Sequence, residues 1–455
     1  VLEHVWNHLA EAGRLNDGSS GFLAQGPAFN LTCPIVHTMF LSMSDGRRTT
    51  AVGHLDADCF YVSAERVRDA FLVGKPVGVL GNQGACVIAK SYEMKAAGVK
   101  TGEPIWEALV KCSGGIYVKR DFRWYEVLSR LMRDLVHETS TRVEYYSIDE
   151  FFFQAEGRGE RSFQDLAEMM RDRIWDRMGI PVTVGIARTR TLAKLISDAA
   201  KPHGALAVMG KEAEDAYLAD KPVTEITGIA GRRAARLAPW GIASCLDLAR
   251  ADRRLVRKLL TASGETLWWE LNGEPVQAIH SKRPAHKALS RGGSFGESTA
   301  EPVVLYAWLV RNLERLIEEL RFHQVAAGRL TVVVRYKSGL TGAGVAAPAV
   351  PSDRFDVLLE TARPCLRRAW MRGEPATHMH LIAENLASRG QCAPGLFDPP
   401  AQRVQAEAVA RVKERINDRH GRFSLRSAAT LYLPAIYRDV ANAYDICDVR
   451  GKICF

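Results

Sequence analysis

The chain has no Cys-x-x-Cys pair, and its nine cysteines are scattered and odd in number. This argues against a zinc ribbon or a disulfide scaffold and for a reducing cytoplasm. No apolar run approaches the roughly 18 residues of a membrane-spanning helix, so no membrane association is expected. Residues 1–50 lack the basic start and apolar centre of a signal peptide. Broken by Gly18-Ser19-Ser20-Gly21 and Gly26-Pro27, they read as a poorly ordered extension. Acidic charge is in deficit: 52 Asp and Glu stand against 61 Lys and Arg, a net charge of +9 and a pI of about 9.1. That balance is compatible with a polyanionic partner. A hydrophobic share of 47% and a charged share of 25% are ordinary for a globular protein. A length of 455 residues should hold roughly two to four domains.

Against this background two acidic segments stand out. Val52-Gly53-His54-Leu55 runs into Asp56-Ala57-Asp58-Cys59-Phe60-Tyr61, and Tyr146-Ser147-Ile148-Asp149-Glu150 runs into Phe151-Phe152-Phe153. Both are strand-like and apolar apart from their acids. An Asp-Glu pair by itself is commonly a solvated turn. If the two strands are neighbours, however, Asp56, Asp149 and Glu150 converge, and three carboxylates repel unless cations lie between them. Oxygen ligands of this kind suit Mg2+ and two-metal phosphoryl transfer. Adjacent strand residues point to opposite faces, so Asp149 and Glu150 can share one centre only at a bend or bulge.

The remaining pattern is mixed α/β. A helix is expected from Phe60 through Ala70, and strands over 77–80 and 85–89, the second followed by Lys90-Ser91-Tyr92-Glu93-Met94-Lys95. A strand and helix are expected within 116–137, an amphipathic helix over 162–178 and a strand over 181–187. Lys194 and Lys201 are seven apart and share a helix face, and Lys201 precedes Pro202-His203-Gly204. Ile226-Thr227-Gly228-Ile229-Ala230-Gly231 reads as a glycine turn between helices that aims backbone N–H groups at a phosphate. Residues 281–289 form a basic, Pro-broken linker with Lys282, Arg283 and Lys287, and a strand-rich piece with Arg291 follows.

Asp56-x-Asp-x-Phe60-Tyr61, Val87-Ile88-Ala89-Lys90-Ser91-Tyr92-Glu93-x-Lys95 and Tyr146-Ser147-Ile148-Asp149-Glu150, in this order, resemble the Y-family translesion DNA polymerases, in particular the UmuC type. The resemblance spans about residues 52–455. It implies an α/β multidomain, right-hand polymerase fold with a mixed α/β palm at 51–64 and 116–210 and small fingers at 65–115. A helical thumb with a helix-hairpin-helix is implied at 211–280, an α+β little finger at 290–385 and a clamp- or partner-binding tail at 386–455.

The same resemblance implies site roles. Asp56, Asp149, Glu150 and the Ala57 backbone carbonyl would hold two Mg2+ ions. Tyr61 would be the steric gate against a 2′-hydroxyl, and Phe60, Tyr92, Lys95 and Lys201 would contact the nucleotide. Gly228, Ala230, Gly231, Lys282, Arg283, Lys287 and Arg291 would contact primer-template DNA. Leu396 and Phe397 lie in Ala393-Pro394-Gly395-Leu396-Phe397-Asp398, which resembles a sliding-clamp peptide without its usual glutamine. The implied activity is error-prone bypass synthesis from dNTP in the SOS response, in the cytoplasm with the nucleoid. UmuD′-like and RecA-like partners are implied as well.

Three departures bear on these roles. Lys95 stands where relatives often carry arginine, which keeps the charge but loses the bidentate fork. Ala230 replaces the second hairpin glycine. Phe151 follows Glu150 where relatives commonly have alanine, so a large ring either crowds the metals or packs beneath the palm. The alternatives are a catalytically silent scaffold joining DNA and clamp, which would not need all three carboxylates, and a nucleotidyl cyclase, which would not need a thumb or little finger.

Overall fold

A computed structural model describes residues 49–433 apart from 82–85, 159, 283–284, 390–399 and 421–423. Most of the expected extension, Arg283, and Leu396 with Phe397 lie outside the described residues. The chain divides into two compact units, with the division between residues 283 and 284.

The first unit carries β1 (Thr49–Ala57), β2 (Val77–Leu80), β3 (Val87–Lys90), β4 (Ile116–Lys119), β5 (Val143–Tyr145), β6 (Glu150–Gly157), β7 (Val182–Ala187) and β8 (Ala205–Ala207). Its main sheet has the order β5-β6-β1-β7-β8. Only the β7–β8 pair is parallel. Residues 51–57 of β1 are all buried, because this central strand is covered on both faces.

Directly paired residues of antiparallel strands share a face. On one face Gly53 pairs with Phe153 and Leu55 with Phe151. The helix Phe122–His137 packs there: its Ser129 hydroxyl meets the Tyr145 hydroxyl, and the Tyr145 ring is edge-on to Phe151. The helix Glu160–Met178 lies on the same side, with the Phe163 ring against Gly157. Gly53 is required here, since a Cβ would lie 2.0 Å from the Phe153 ring.

On the opposite face His54 pairs with Phe152, and Asp56 with Glu150. The helix Arg190–Ala200 covers this face. It comes close because Gly185 on β7, the partner of His54, has no side chain: a Cβ there would meet the Ala193 carbonyl at 2.4 Å and the Ser197 nitrogen at 2.6 Å. Phe152, Leu192 and Ile196 then join one core with Ile226, Ile229, Leu237 and Leu248 of the helical region that follows.

A smaller sheet, ordered β3-β2-β4, stands between the helix Phe60–Arg68 and the helix Phe122–His137 in sequence. Strand β4 pairs in parallel with β2. Residues 116–119, grouped above with the palm, therefore belong to this smaller sheet, because their backbone partners are on β2.

The second unit is a four-stranded antiparallel sheet of β9 (Ala288–Thr299), β11 (Arg329–Tyr336), β12 (Thr341–Ala346) and β13 (Ala376–Glu384), in the order β12-β11-β13-β9. A two-residue pair, β10 (Val325–Ala326) with β14 (Ala387–Ser388), is separate. On β11 the alternation places Leu330, Val332, Val334 and Tyr336 in a core with Leu309, Leu313 and Leu316 of the helix Pro302–Phe322 and with Leu358 and Cys365 of the helix Phe355–Ala369. Strand β9 begins at Ala288, so it takes in the end of the expected 281–289 linker.

The close approach at Gly185 yields a stability prediction. Gly185→Ala should destabilise the protein by about 1–3 kcal/mol in urea unfolding, as overpacking against backbone does. Gly114→Ala, whose Cβ would enter open space, should leave the midpoint unchanged or slightly raised.

Candidate active site

The acids meet because of register. Asp56, near the C-terminal end of β1, is the direct partner of Glu150, the first residue of β6. The chain bends just before β6: the backbone N–H groups of Tyr146 and Ser147 both donate to the Glu150 carbonyl. Asp149 lies in that bend, and its carbonyl accepts the Ala57 N–H at 2.9 Å. The adjacent pair thus escapes the alternation of a straight strand. Phe151, one step further, is fully buried on the other face against Leu55 and Tyr145. It packs beneath the sheet and does not crowd the carboxylates.

Two lysines from the covering helix and its end reach into the cluster. Lys201 Nζ lies 2.8 Å from Asp56 Oδ1 and 3.3 Å from Asp198. Lys194 Nζ bonds Glu150 Oε1. Both ammonium groups have raised pKa values: burial opposes the rise, and the facing carboxylates outweigh it. Asp56 is pushed up to about 8, chiefly by burial and in part by Glu150, although Lys201 pulls the other way. Asp149 is also raised by burial, with the Ser147 hydroxyl holding it back and Glu150 adding to the rise. Glu150 is lowered, because Lys194 overcomes the effect of burial. His54 lies beneath, fully buried, with Nδ1 at 2.6 Å from Ser197 Oγ and Nε2 at 3.9 Å from Glu150.

These residues fit a divalent cation. The donor set is carboxylate oxygen, the kind magnesium takes. The positive charge that the set requires is supplied here by two ammonium groups. Among the described residues no three His, Cys, Asp or Glu side chains are arranged to close on one ion. Asp56 and Glu150 are drawn instead to Lys201 and Lys194.

Asp58 and Lys194 were given no role in the sequence reading. Asp58 is buried and accepts hydrogen bonds from Thr183 Oγ1 at 3.0 Å, the His203 backbone N–H at 2.7 Å and the Tyr92 hydroxyl at 3.3 Å. It ties β1, β7, the loop after Lys201 and the helix Tyr92–Ala96 together. Its spacing of two from Asp56 was the available signal. Lys194 was seen only as sharing a face with Lys201.

The other expected residues are distributed as follows. Tyr92 and Lys95 share that short helix, with the Lys95 ammonium 6.0 Å from the Tyr92 ring. Tyr61 is half-buried and stacked on Tyr125. The Phe60 ring is buried, edge-on to Tyr125. Gly228 takes a left-handed φ of 96°, Ala230 is extended and the helix Gly231–Leu237 starts directly after it, so the turn tolerates Ala230. Lys282 and Lys287 are exposed. On β9, Arg291 faces the helix Pro302–Phe322 and pairs with Glu319, with its side chain mostly buried.

An acid-bearing mixed palm sheet with a small inserted sheet, a helical module with a glycine hairpin, and a separate α/β unit define a right-hand polymerase of the Y-family type. Two family models match: the impB/mucB/samB family over residues 55–198 and its C-terminal domain over 286–396. Protein UmuC of Salmonella typhimurium strain LT2 is 30% identical over 388 residues, covering 81% of this chain and 91% of that protein. DNA polymerase IV 1 of Bacillus subtilis strain 168 is 27% identical over 393 residues, covering 84% and 94%. The chain belongs to the impB/mucB/samB family. Its fold is shared with a Y-family DNA polymerase chimera, Dbh-Dpo4(243-245)-Dbh, at a TM-score of 0.65 and 22% identity, over 74% of this chain and 99% of the chimera. Among the described residues no helix is long and apolar enough to cross a membrane.

The raised Asp56 value carries a pH dependence. Unfolded, the carboxyl ionises near 3.8; folded, near 8. The stability that its proton contributes is complete below about pH 4 and is lost as the pH rises to about 8. Without divalent cations, melting temperature should fall across that interval. Asp56→Asn should flatten the fall, and Mg2+ should raise the melting temperature of the wild type more at pH 8 than at pH 6.

Proposed function

We propose that this DNA-directed DNA polymerase performs error-prone synthesis across damaged template, as its resemblance to the Y-family translesion DNA polymerases implies. The observation that carries the reading is the pairing of Asp56 with Glu150, with Asp149 in the bend beside them. The primer 3′-hydroxyl attacks the α-phosphate of a bound deoxynucleotide, and pyrophosphate leaves. Asp56, Asp149, Glu150 and the Ala57 carbonyl would hold two Mg2+ ions. When bound, these ions neutralise charge on the reacting phosphate oxygens and favour an ionised attacking hydroxyl.

The protein's own groups do the rest. Lys201, whose ammonium lies beside Asp56, would contact the triphosphate. The Tyr92 hydroxyl, resting on Asp58, and the Lys95 ammonium would contact the same phosphates. Lys194 keeps Glu150 ionised at neutral pH, since it holds the carboxyl below the usual range. Tyr61 sets the sugar. Positioning and charge neutralisation supply most of the acceleration in such phosphoryl transfers.

Gly228, Ala230, Gly231, Lys282, Arg283 and Lys287 would hold the primer-template backbone, and Leu396 with Phe397 a sliding clamp. The domain limits given above follow the same reading, with residues 116–119 moved to the fingers. An SOS role, UmuD′-like and RecA-like partners and a place with the nucleoid belong to it too.

Primer extension with Mg2+ on undamaged and abasic templates tests the reading. Wild type should give short products and pass the abasic site. Asp149→Ala with Glu150→Ala should lower the rate at least about 100-fold, as loss of transition-state electrostatics does, while primer-template binding stays within about threefold. Retained extension in the double mutant would refute the assignment.

A further inference from the structure

Behind Tyr61 stands a second ring that the reaction does not use. Tyr125, from the helix Phe122–His137, lies flat against Tyr61, with centroids 4.6 Å apart and planes at 17°. Phe122 stands edge-on to both, 5.6 Å from Tyr61 and 5.9 Å from Tyr125. Tyr61 is half-buried and Tyr125 fully buried, so Tyr125 is the inner ring of the stack.

The inner ring is tethered. Its hydroxyl donates to Glu65 Oε1 at 2.6 Å. Glu65 is itself buried, and Arg68 donates to both of its oxygens at 2.9 Å. Arg68 reaches on to Asp121 at 2.8 Å, and Asp121 caps the helix of Tyr125 by accepting the Trp124 N–H. Trp124 Nε1 closes the loop on the Ala64 carbonyl at 2.7 Å. The helix that carries Tyr61 and the helix that carries Tyr125 are thus joined at three points within two turns of each ring. A buried carboxylate is costly unless its oxygens are satisfied. Glu65 takes no part in the acid cluster, and its bonds all serve this junction.

A gate that rejects a ribose must resist displacement by a single oxygen atom. An exposed tyrosine alone swings about χ1 and χ2, since staggered rotamers lie close in energy. A stacked ring fixed at its far end removes that freedom. We propose that Tyr125, held by the Glu65–Arg68–Asp121 network, is a positioning residue for sugar selection, a backstop that keeps the Tyr61 ring against the 2′-carbon of the incoming nucleotide. The proposal rests on the reading of Tyr61 as the sugar gate. Tyr125 touches no substrate and acts through Tyr61 alone.

The test is single-nucleotide incorporation opposite dG by the full chain, with dCTP and with CTP, for wild type, Tyr61→Ala, Tyr125→Leu and Tyr125→Phe. The expected result is a collapse of the deoxy-to-ribo ratio of kcat/KM in Tyr61→Ala. In Tyr125→Leu the ratio should drop about tenfold, a loss on the scale of one displaced contact, through better use of CTP. Its dCTP efficiency should stay within about threefold of wild type. Tyr125→Phe keeps the ring without the tether and should fall between. A merely structural role would lower both substrates in proportion, and that outcome, or an unchanged ratio beside a collapsed Tyr61→Ala, overturns the proposal. An unchanged ratio in Tyr61→Ala overturns the gate itself, and the backstop with it. If Tyr125→Leu does not fold, Tyr125→Phe decides by the same ratio: a fall of about threefold supports the backstop, and none refutes it.

Discussion

Like charges packed side by side out of water repel, and in this protein the repulsion sits at the end of the central strand. Asp56 and Glu150 are direct partners across the ladder of a mostly buried sheet. An ordinary core would not tolerate them. The structure answers with a helix that descends onto the sheet through the gap left by Gly185, and with two lysines that this helix delivers. The raised Asp56 value and the lowered Glu150 value come from the same burial, which Lys201 offsets only in part at Asp56 and Lys194 more than offsets at Glu150.

Lys194 and Lys201 supply positive charge to this cluster. A carboxylate cluster neutralised by flexible side chains exchanges partners without reorganising the sheet, whereas one that depended on ions for its fold would collapse when they left. Asp58 extends the same economy. Its bonds to β7, to the loop after Lys201 and to Tyr92 gather these elements around one buried carboxyl group.

Much of this was legible in the sequence, and the parts that were not have identifiable causes. Apolar segments closed by acids announced β1 and β6, because β propensity and polarity change together at Asp56 and at Glu150. The order of the motifs announced the family. The orientation of Phe151 was not legible: its face depends on a bend at Asp149 that no single-residue preference encodes. Lys194 was overlooked because a spacing of seven says which residues share a face but not what the face meets. The pairing of Arg291 with Glu319 was not legible because a basic stretch looks uniform, while β9 turns alternate side chains toward the helix that carries Glu319. The misplaced β4 has the same origin, since parallel pairing with β2 is a long-range choice.

The alternation along β1 has a further consequence. Positions 52, 54 and 56 look toward the covering helix, and 53, 55 and 57 look toward the other core. Chemistry and packing are therefore written in the same short string, distinguished only by parity. A conservative replacement disturbs one of them at a time. Loss or gain of a single residue between the start of this strand and its acid would exchange them, burying an aspartate among phenylalanines and turning leucine to the substrate. The segment tolerates spelling changes but has a reading frame of its own, which folding enforces.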